Sequence, residues 1–161
     1  MGVPVHPLLV HAAVVFVPLL ATLAVAYAFL PFIRAHTRWV LGLLALAGPA
    51  AALLAKLSGD QFFDRLIERE LVTPGFVPRL EEHQNLGTMT LWVTIGLAVL
   101  TLATVYLVGP RAGVLGLRGG EGSRRILSVV VTVLAVVAAG VALYYVIRTG
   151  DSGSKAAWEG Y

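Results

Sequence analysis

Cysteine is absent from the 161 residues, which removes disulfides, thiolate nucleophiles, iron–sulfur clusters and Cys-type zinc sites while leaving haem chemistry open. Charge is scarce as well. Only 13% of residues are Asp, Glu, Lys or Arg, about half the share of an ordinary soluble domain, whereas 58% are hydrophobic. A water-soluble domain of this length has no interior large enough to hide so much apolar surface. The net charge of +3 arises from Arg residues beside hydrophobic runs, not from a basic patch interleaved with aromatics, so nucleic-acid binding is not indicated. No linker and no room for a second soluble domain are evident, and the chain reads as one unit, residues 1–161.

What the chain does have is long apolar runs. Crossing the hydrocarbon core takes about 20 apolar residues, and four stretches satisfy this, giving spans at about 7–33, 39–57, 79–108 and 126–148. The first run lacks a basic leading segment and a small-residue cleavage site, so it is expected to remain as a helix and not to act as a signal peptide. Pro18 and Pro49 fall inside spans, where bundle packing tolerates them as kinks. Ser128, Thr132, Ala135, Ala139 and Ala142 form a small-residue stripe that lets a neighbouring backbone come close. The fold expected is an all-α, integral-membrane, up-down four-helix bundle.

Between the second and third spans, Phe62, Phe63, Leu66, Ile67 and Leu71 recur at helical spacing among charged residues, which predicts a short interfacial amphipathic helix over 60–72. Thr73-Pro74-Gly75 ends it, and Pro78 starts a helix whose first turns, Arg79 to Asn85, are polar. Gly150 suits a left-handed cap on the fourth span, leaving residues 150–161 as a tail with one further helical turn. Basic residues set the orientation. Arg34 and Arg38 in the first loop and Arg111, Arg118, Arg124 and Arg125 in the third place those loops in the cytoplasm, although the longer second loop also carries Lys56, Arg65, Arg69 and Arg79 among six acids. The chain is thus expected in the cell membrane, multi-pass, with both termini extracytoplasmic.

Three of the four histidines fall at one end of this arrangement. With Pro7 as first helical residue, His11 lies about 6 Å along helix one and His83 about 7 Å beyond Pro78, at comparable depth; His6 precedes the helix, and His36 is solvated between two arginines. Three readings follow. Two imidazoles on separate helices suit the axial positions of a b haem, with Gly87 leaving room for the ring and Arg148 meeting its propionates. Alternatively His6, His11, His83, Asp60 and Asp151 supply ligands to a bare metal ion, which needs less room between diagonal helices, though no HxxxH or HExxH spacing supports it. The third reading is structural: His11 and His83 pin the bundle end by hydrogen bonds. No nucleophile elbow is present, since Asp151-Ser152-Gly153 follows a helix and not a strand. Nor do the spans carry the buried charge or paired broken helices of a transporter.

The segments His6-Pro7-Leu8-Leu9-Val10-His11, Gly59-Asp60, His83 with Leu86-Gly87, and Gly150-Asp151-Ser152-Gly153 through Trp158 together resemble a bacterial membrane family catalogued as domain of unknown function 2231. Members often carry Phe-Pro directly after the second histidine, where this chain has Ala12-Ala13 and a proline delayed to Pro18. The resemblance implies a four-helix membrane protein without established activity and a distant similarity to the two-haem cytochrome b group, by which His11 and His83 would be the axial ligands of at most one haem. Two function classes stand: a binding or accessory subunit of a larger, respiratory-type membrane complex, and a haem-bearing electron carrier between quinol and an outer-side partner.

Overall fold

The computed structural model describes residues 5–108 and 121–158, which form four long helices and no strand among the described residues. Helix α1 spans Val5–Phe29, α2 Arg34–Glu68, α3 Val77–Val108 and α4 Glu121–Trp158. All four are long and apolar enough to cross a membrane. Each helix packs on its two sequence or chain-end neighbours, α1 on α2 and α4, α3 on α2 and α4, while α1 and α3 meet only lightly across the diagonal. This is the up-down bundle that short connections between apolar helices require.

The α1–α2 connection is tighter than a continuous first span over 7–33 allows. Pro31 forces Leu30 into an extended conformation (φ −115°, ψ 85°), and a single 3-10 turn, Pro31–Ile33, leads directly into α2. Arg34 then reaches back: its Nε donates to the Tyr27 carbonyl at 2.9 Å and its Nη2 to that of Ala28 at 2.7 Å. Those carbonyls belong to the last turn of α1, where no helical N–H remains to pair with them. The sequence makes Arg34 a topology signal; the structure also makes it a helix cap.

Two other boundaries differ from expectation. Residues 60–68 are helical, but as the uninterrupted end of α2 and not as a separate surface helix; α2 closes near Glu68, and Glu70 turns the chain with φ 52°. Likewise α4 runs through Gly150 to Trp158 without a cap. At about 1.5 Å per residue, 35- and 38-residue helices measure about 52 and 57 Å, well beyond an apolar core of about 30 Å. Their excess length carries Lys56, Asp60, Arg148, Asp151 and Lys155, so the bundle has a polar end standing clear of its apolar middle. Arg111 and Arg118 of the third loop, and the last three residues of the tail, lie outside the described residues.

The core is assembled from small and branched residues: Val17, Leu20, Ala21, Ala24 and Tyr27 of α1, Leu41 and Ala45 of α2, Leu97 and Ala98 of α3, and Ala139, Ala142 and Val146 of α4. Alanines let backbones approach, and in lipid this close contact replaces the hydrophobic drive as the source of association. Ala135, Ala139 and Ala142 of the small-residue stripe are buried, and Ser128 and Thr132 are partly so. A second stripe, Thr90, Thr94, Thr101 and Thr104 on α3, is also buried. Three of its hydroxyls donate to carbonyls one turn back, at 2.9, 2.6 and 2.8 Å for Thr90, Thr94 and Thr104, which removes the cost of burying them.

Candidate functional site

At the polar end the structure brings His83 against His6, and not against His11. The two imidazoles meet edge to face across the α1–α3 diagonal, with ring centroids 6.3 Å apart and an interplanar angle of 74°. The described part of α1 begins at Val5, so His6 is already helical. At about 100° per residue, His11 points roughly 140° away from His6 around that helix. It is exposed, and its Nδ1 donates to the Pro7 carbonyl of its own helix. Depth along the helix was legible in the sequence; the face was not.

Each inward imidazole is held from the neighbouring helix. The Nδ1 of His6 lies 3.1 Å from the Ala55 carbonyl and 3.1 Å from Ser58 Oγ on α2. A carbonyl only accepts, so Nδ1 carries the proton. Ser58 donates its own hydroxyl proton to Ala55 O at 3.0 Å, which leaves its oxygen free to accept from the same N–H. His83 is held the same way by α4. Its Nδ1 is 2.9 Å from Ser152 Oγ, and Ser152 donates to Thr149 O at 3.0 Å. Both histidines are therefore seated with Nδ1–H as the donor, and in the neutral form of each ring Nε2 bears the lone pair. Among the described residues neither Nε2 has a hydrogen-bond partner.

Glycine makes the close seating feasible. A Cβ on Gly59 would stand 2.9 Å from Cε1 of His6, and one on Gly153 would stand 2.8 Å from Cε1 of His83. A carbon at that distance displaces the ring. Phe62 of α2 stacks on His6 with centroids 6.3 Å apart at 20°, closing that side of the pair. Both rings are partly buried.

The other candidate residues surround the pair without joining it. Asp60 accepts from Lys56 Nζ at 2.5 and 2.7 Å and from Gln84 Nε2 of α3 at 3.1 Å, tying α2 to α3. Asp151 pairs with Lys155 one turn along α4 at 2.8 Å. Gly87, taken as room for a porphyrin, is instead approached by the Lys56 stem, whose Cδ would lie 3.9 Å from an added Cβ. Arg148 lines a cleft of about 170 Å³ between α3 and α4, with Arg79, Glu82, Asp151, Ser152, Lys155 and Ala156. Thr90 and Thr149 add a further α3–α4 hydrogen bond of 2.7 Å. His36 is exposed, as its place between two arginines suggests. Sequence reasoning passed over Ser58 and left Ser152 in the tail without a role at the site; the Ser-Gly pair repeated at 58–59 and 152–153 was the signal available.

This arrangement does not fit a b haem held by His11 and His83. Their rings are not opposed, and the space between diagonal helices at this level is taken by imidazole against imidazole and by the Lys56 stem over Gly87. A porphyrin ring needs an apolar slot of its own width there. Among the described residues no group of three or more His, Cys, Asp or Glu side chains is disposed around one metal position, so the site offers two protein nitrogens and no closed coordination sphere.

No curated protein and no solved structure matches the chain. The sequence model of one family, described as "Predicted membrane protein (DUF2231)", matches residues 2–161. With four candidate spans in the structure and that match over nearly the whole length, the chain belongs to the DUF2231 family of membrane proteins.

Proposed function

We propose that this protein is a membrane-embedded binding protein whose polar bundle end takes one transition-metal ion on Nε2 of His6 and Nε2 of His83. The observation that carries the reading is the pair of unpartnered Nε2 atoms on imidazoles whose Nδ1–H groups are already committed to carbonyl and serine oxygens. Metal-binding histidines use this device: the second nitrogen donates outward, which fixes ring and tautomer and raises the basicity of the first. With centroids 6.3 Å apart, an ion about 2.1 Å from each nitrogen can be shared when both Nε2 atoms are turned to it in a nearly straight N–metal–N arrangement. The 74° between ring planes is no obstacle, because rotation about a metal–nitrogen bond leaves the donor in place.

Imidazole donors without carboxylate or thiolate favour copper, zinc, nickel or iron over magnesium and calcium. With two protein ligands, the remaining positions fall to water or an incoming ligand, as in sites that exchange or present their ion and not in closed structural ones. Titration of the detergent-purified full chain with Cu(II), Zn(II) and Ni(II) by calorimetry tests this. One ion per chain is expected, lost in His6→Ala and in His83→Ala and kept in His11→Ala; binding unchanged by either of the first two substitutions would overturn the reading.

A second reading, an accessory subunit of a larger membrane complex, draws on α4. Its apolar window is 17% buried, against 28% to 33% for the other three, so it contributes least to the bundle's own interior. Isolation from native membranes in a mild detergent, followed by size analysis, would reveal a stable larger assembly or its absence.

A further inference from the structure

We infer that the bundle is one helical hairpin occurring twice, α1–α2 and α3–α4, about a two-fold axis along the bundle, and that the histidine site is built on that axis from two equivalent half-sites: His6 with Ser58 and Gly59, His83 with Ser152 and Gly153. The equivalence begins with the contacts. In each half a histidine near the start of the first helix sends Nδ1–H to a serine on the second, the serine donates to the carbonyl three residues before it, and the glycine after the serine admits the ring edge. In a four-membered ring of helices, a half-turn about the central axis exchanges α1 with α3 and α2 with α4. That exchange brings one half-site onto the other, and the His6–His83 contact crosses the axis itself.

The registers of the two cores agree independently. The shift that superposes His6 on His83 also superposes buried Ala13, Val17, Leu20, Ala21, Ala24 and Tyr27 of α1 on buried Thr90, Thr94, Leu97, Ala98, Thr101 and Thr104 of α3. The shift that superposes Ser58-Gly59 on Ser152-Gly153 places buried Leu41, Ala45, Gly48 and Ala52 of α2 on buried Ala135, Ala139, Ala142 and Val146 of α4. Two positions depart: Leu91 is buried where Val14 is exposed, and Ala51 is buried where Tyr145 is partly exposed. Few residues are identical across the halves, among them Leu20 and Leu97, Ala21 and Ala98, and Ala45 and Ala139. The repetition is one of packing and contacts before it is one of sequence.

The consequence is that Ser58, Gly59, Ser152 and Gly153 are positioning residues of equal weight, and that an ion on the axis sees two like nitrogens. The ion-binding part rests on the function proposed above; the equivalence of the half-sites does not. Two measurements on the full chain in detergent separate them. In ¹⁵N-histidine NMR at neutral to mildly basic pH, with signals assigned through His6→Ala and His83→Ala, both histidines are expected as Nδ1–H tautomers. Ser58→Ala and Gly59→Ala then shift the His6 signal, and Ser152→Ala and Gly153→Ala the His83 signal, by similar amounts. An Nε2–H tautomer at either histidine, or a response confined to one half, would sink the equivalence whether or not metal binds. In Cu(II) titration, each serine and each glycine variant is expected to weaken binding about 10-fold. If no ion binds while the NMR result holds, the metal reading fails and the half-sites stand; a loss in one half alone overturns the two-fold site.

Discussion

The two ends of the bundle handle their polar groups in opposite ways. At the α1–α2 connection, Arg34 uses its guanidinium on the orphan carbonyls of Tyr27 and Ala28 and lies over the Tyr27 ring, so a strong donor is matched to acceptors that would otherwise lack one. At the other end each histidine uses only half its capacity: Nδ1 is bonded to the neighbouring helix, and Nε2 has no hydrogen-bond partner among the described residues. A helix terminus closed by its own residues serves stability, whereas a polar pair with one nitrogen apiece left uncommitted within the chain is the arrangement on which the proposed ion site rests.

The contrast can be broken by measurement. The largest effect is expected from His6→Ala and His83→Ala, each lowering ion affinity more than about 100-fold, because even outer-shell partners are worth about 10- to 100-fold. Equal losses in His11→Ala would erase the distinction between inward and outward histidines. Acidification comes next. A bound ion needs the Nε2 lone pair, so protons compete for it, and binding should weaken steadily as pH is lowered through the imidazole range while improving slightly or staying level above it. Affinity that is flat with pH would point to a site without histidine nitrogen.

Arg34→Ala should act on the other end only. Two hydrogen bonds from a charged donor are lost, lowering stability by about 1–3 kcal/mol in detergent melts, with ion affinity unchanged. Asp60→Ala frees Lys56 and Gln84 in a partly exposed network and should cost about 1 kcal/mol or less. The smallest change is Thr101→Val. Its hydroxyl is buried with no partner among the described residues, so replacing it with a methyl of similar shape should leave the melting temperature unchanged or raise it by the equivalent of about 1 kcal/mol. A clear destabilisation there would show that Thr101 Oγ1 has a partner in the folded protein.

The apolar middle was legible because its signal is local. A run of about 20 apolar residues demands lipid whatever it packs against, so four spans could be placed by hydropathy alone. Boundaries were less so. The amphipathic pattern of Phe62 to Ile67 is the same whether that helix is separate or continues α2, and the structure continues it. Gly150 carries a capping propensity, yet α4 passes it; Asp151–Lys155 pairing and the seating of His83 on Gly153 sustain the helix beyond. Propensity lost to tertiary contact at this point. Site chemistry was half visible. His6, His11 and His83 were placed at one bundle end from sequence, but taking Pro7 as the first helical position put His6 outside the helix, whereas the described part of α1, Val5–Phe29, includes it.

From sequence alone come the medium, the helix count, the absence of thiol chemistry and the gathering of histidines at one end, since each follows from composition or from distance along a single helix. Which histidine turns inward, which serine fixes its tautomer, and why glycine stands at 59 and 153 were decided by tertiary structure. Those are matters of azimuth and of contact between α1 and α2, α3 and α4, where each residue turns the helix face by about 100° and the packing of neighbours decides which face is turned inward.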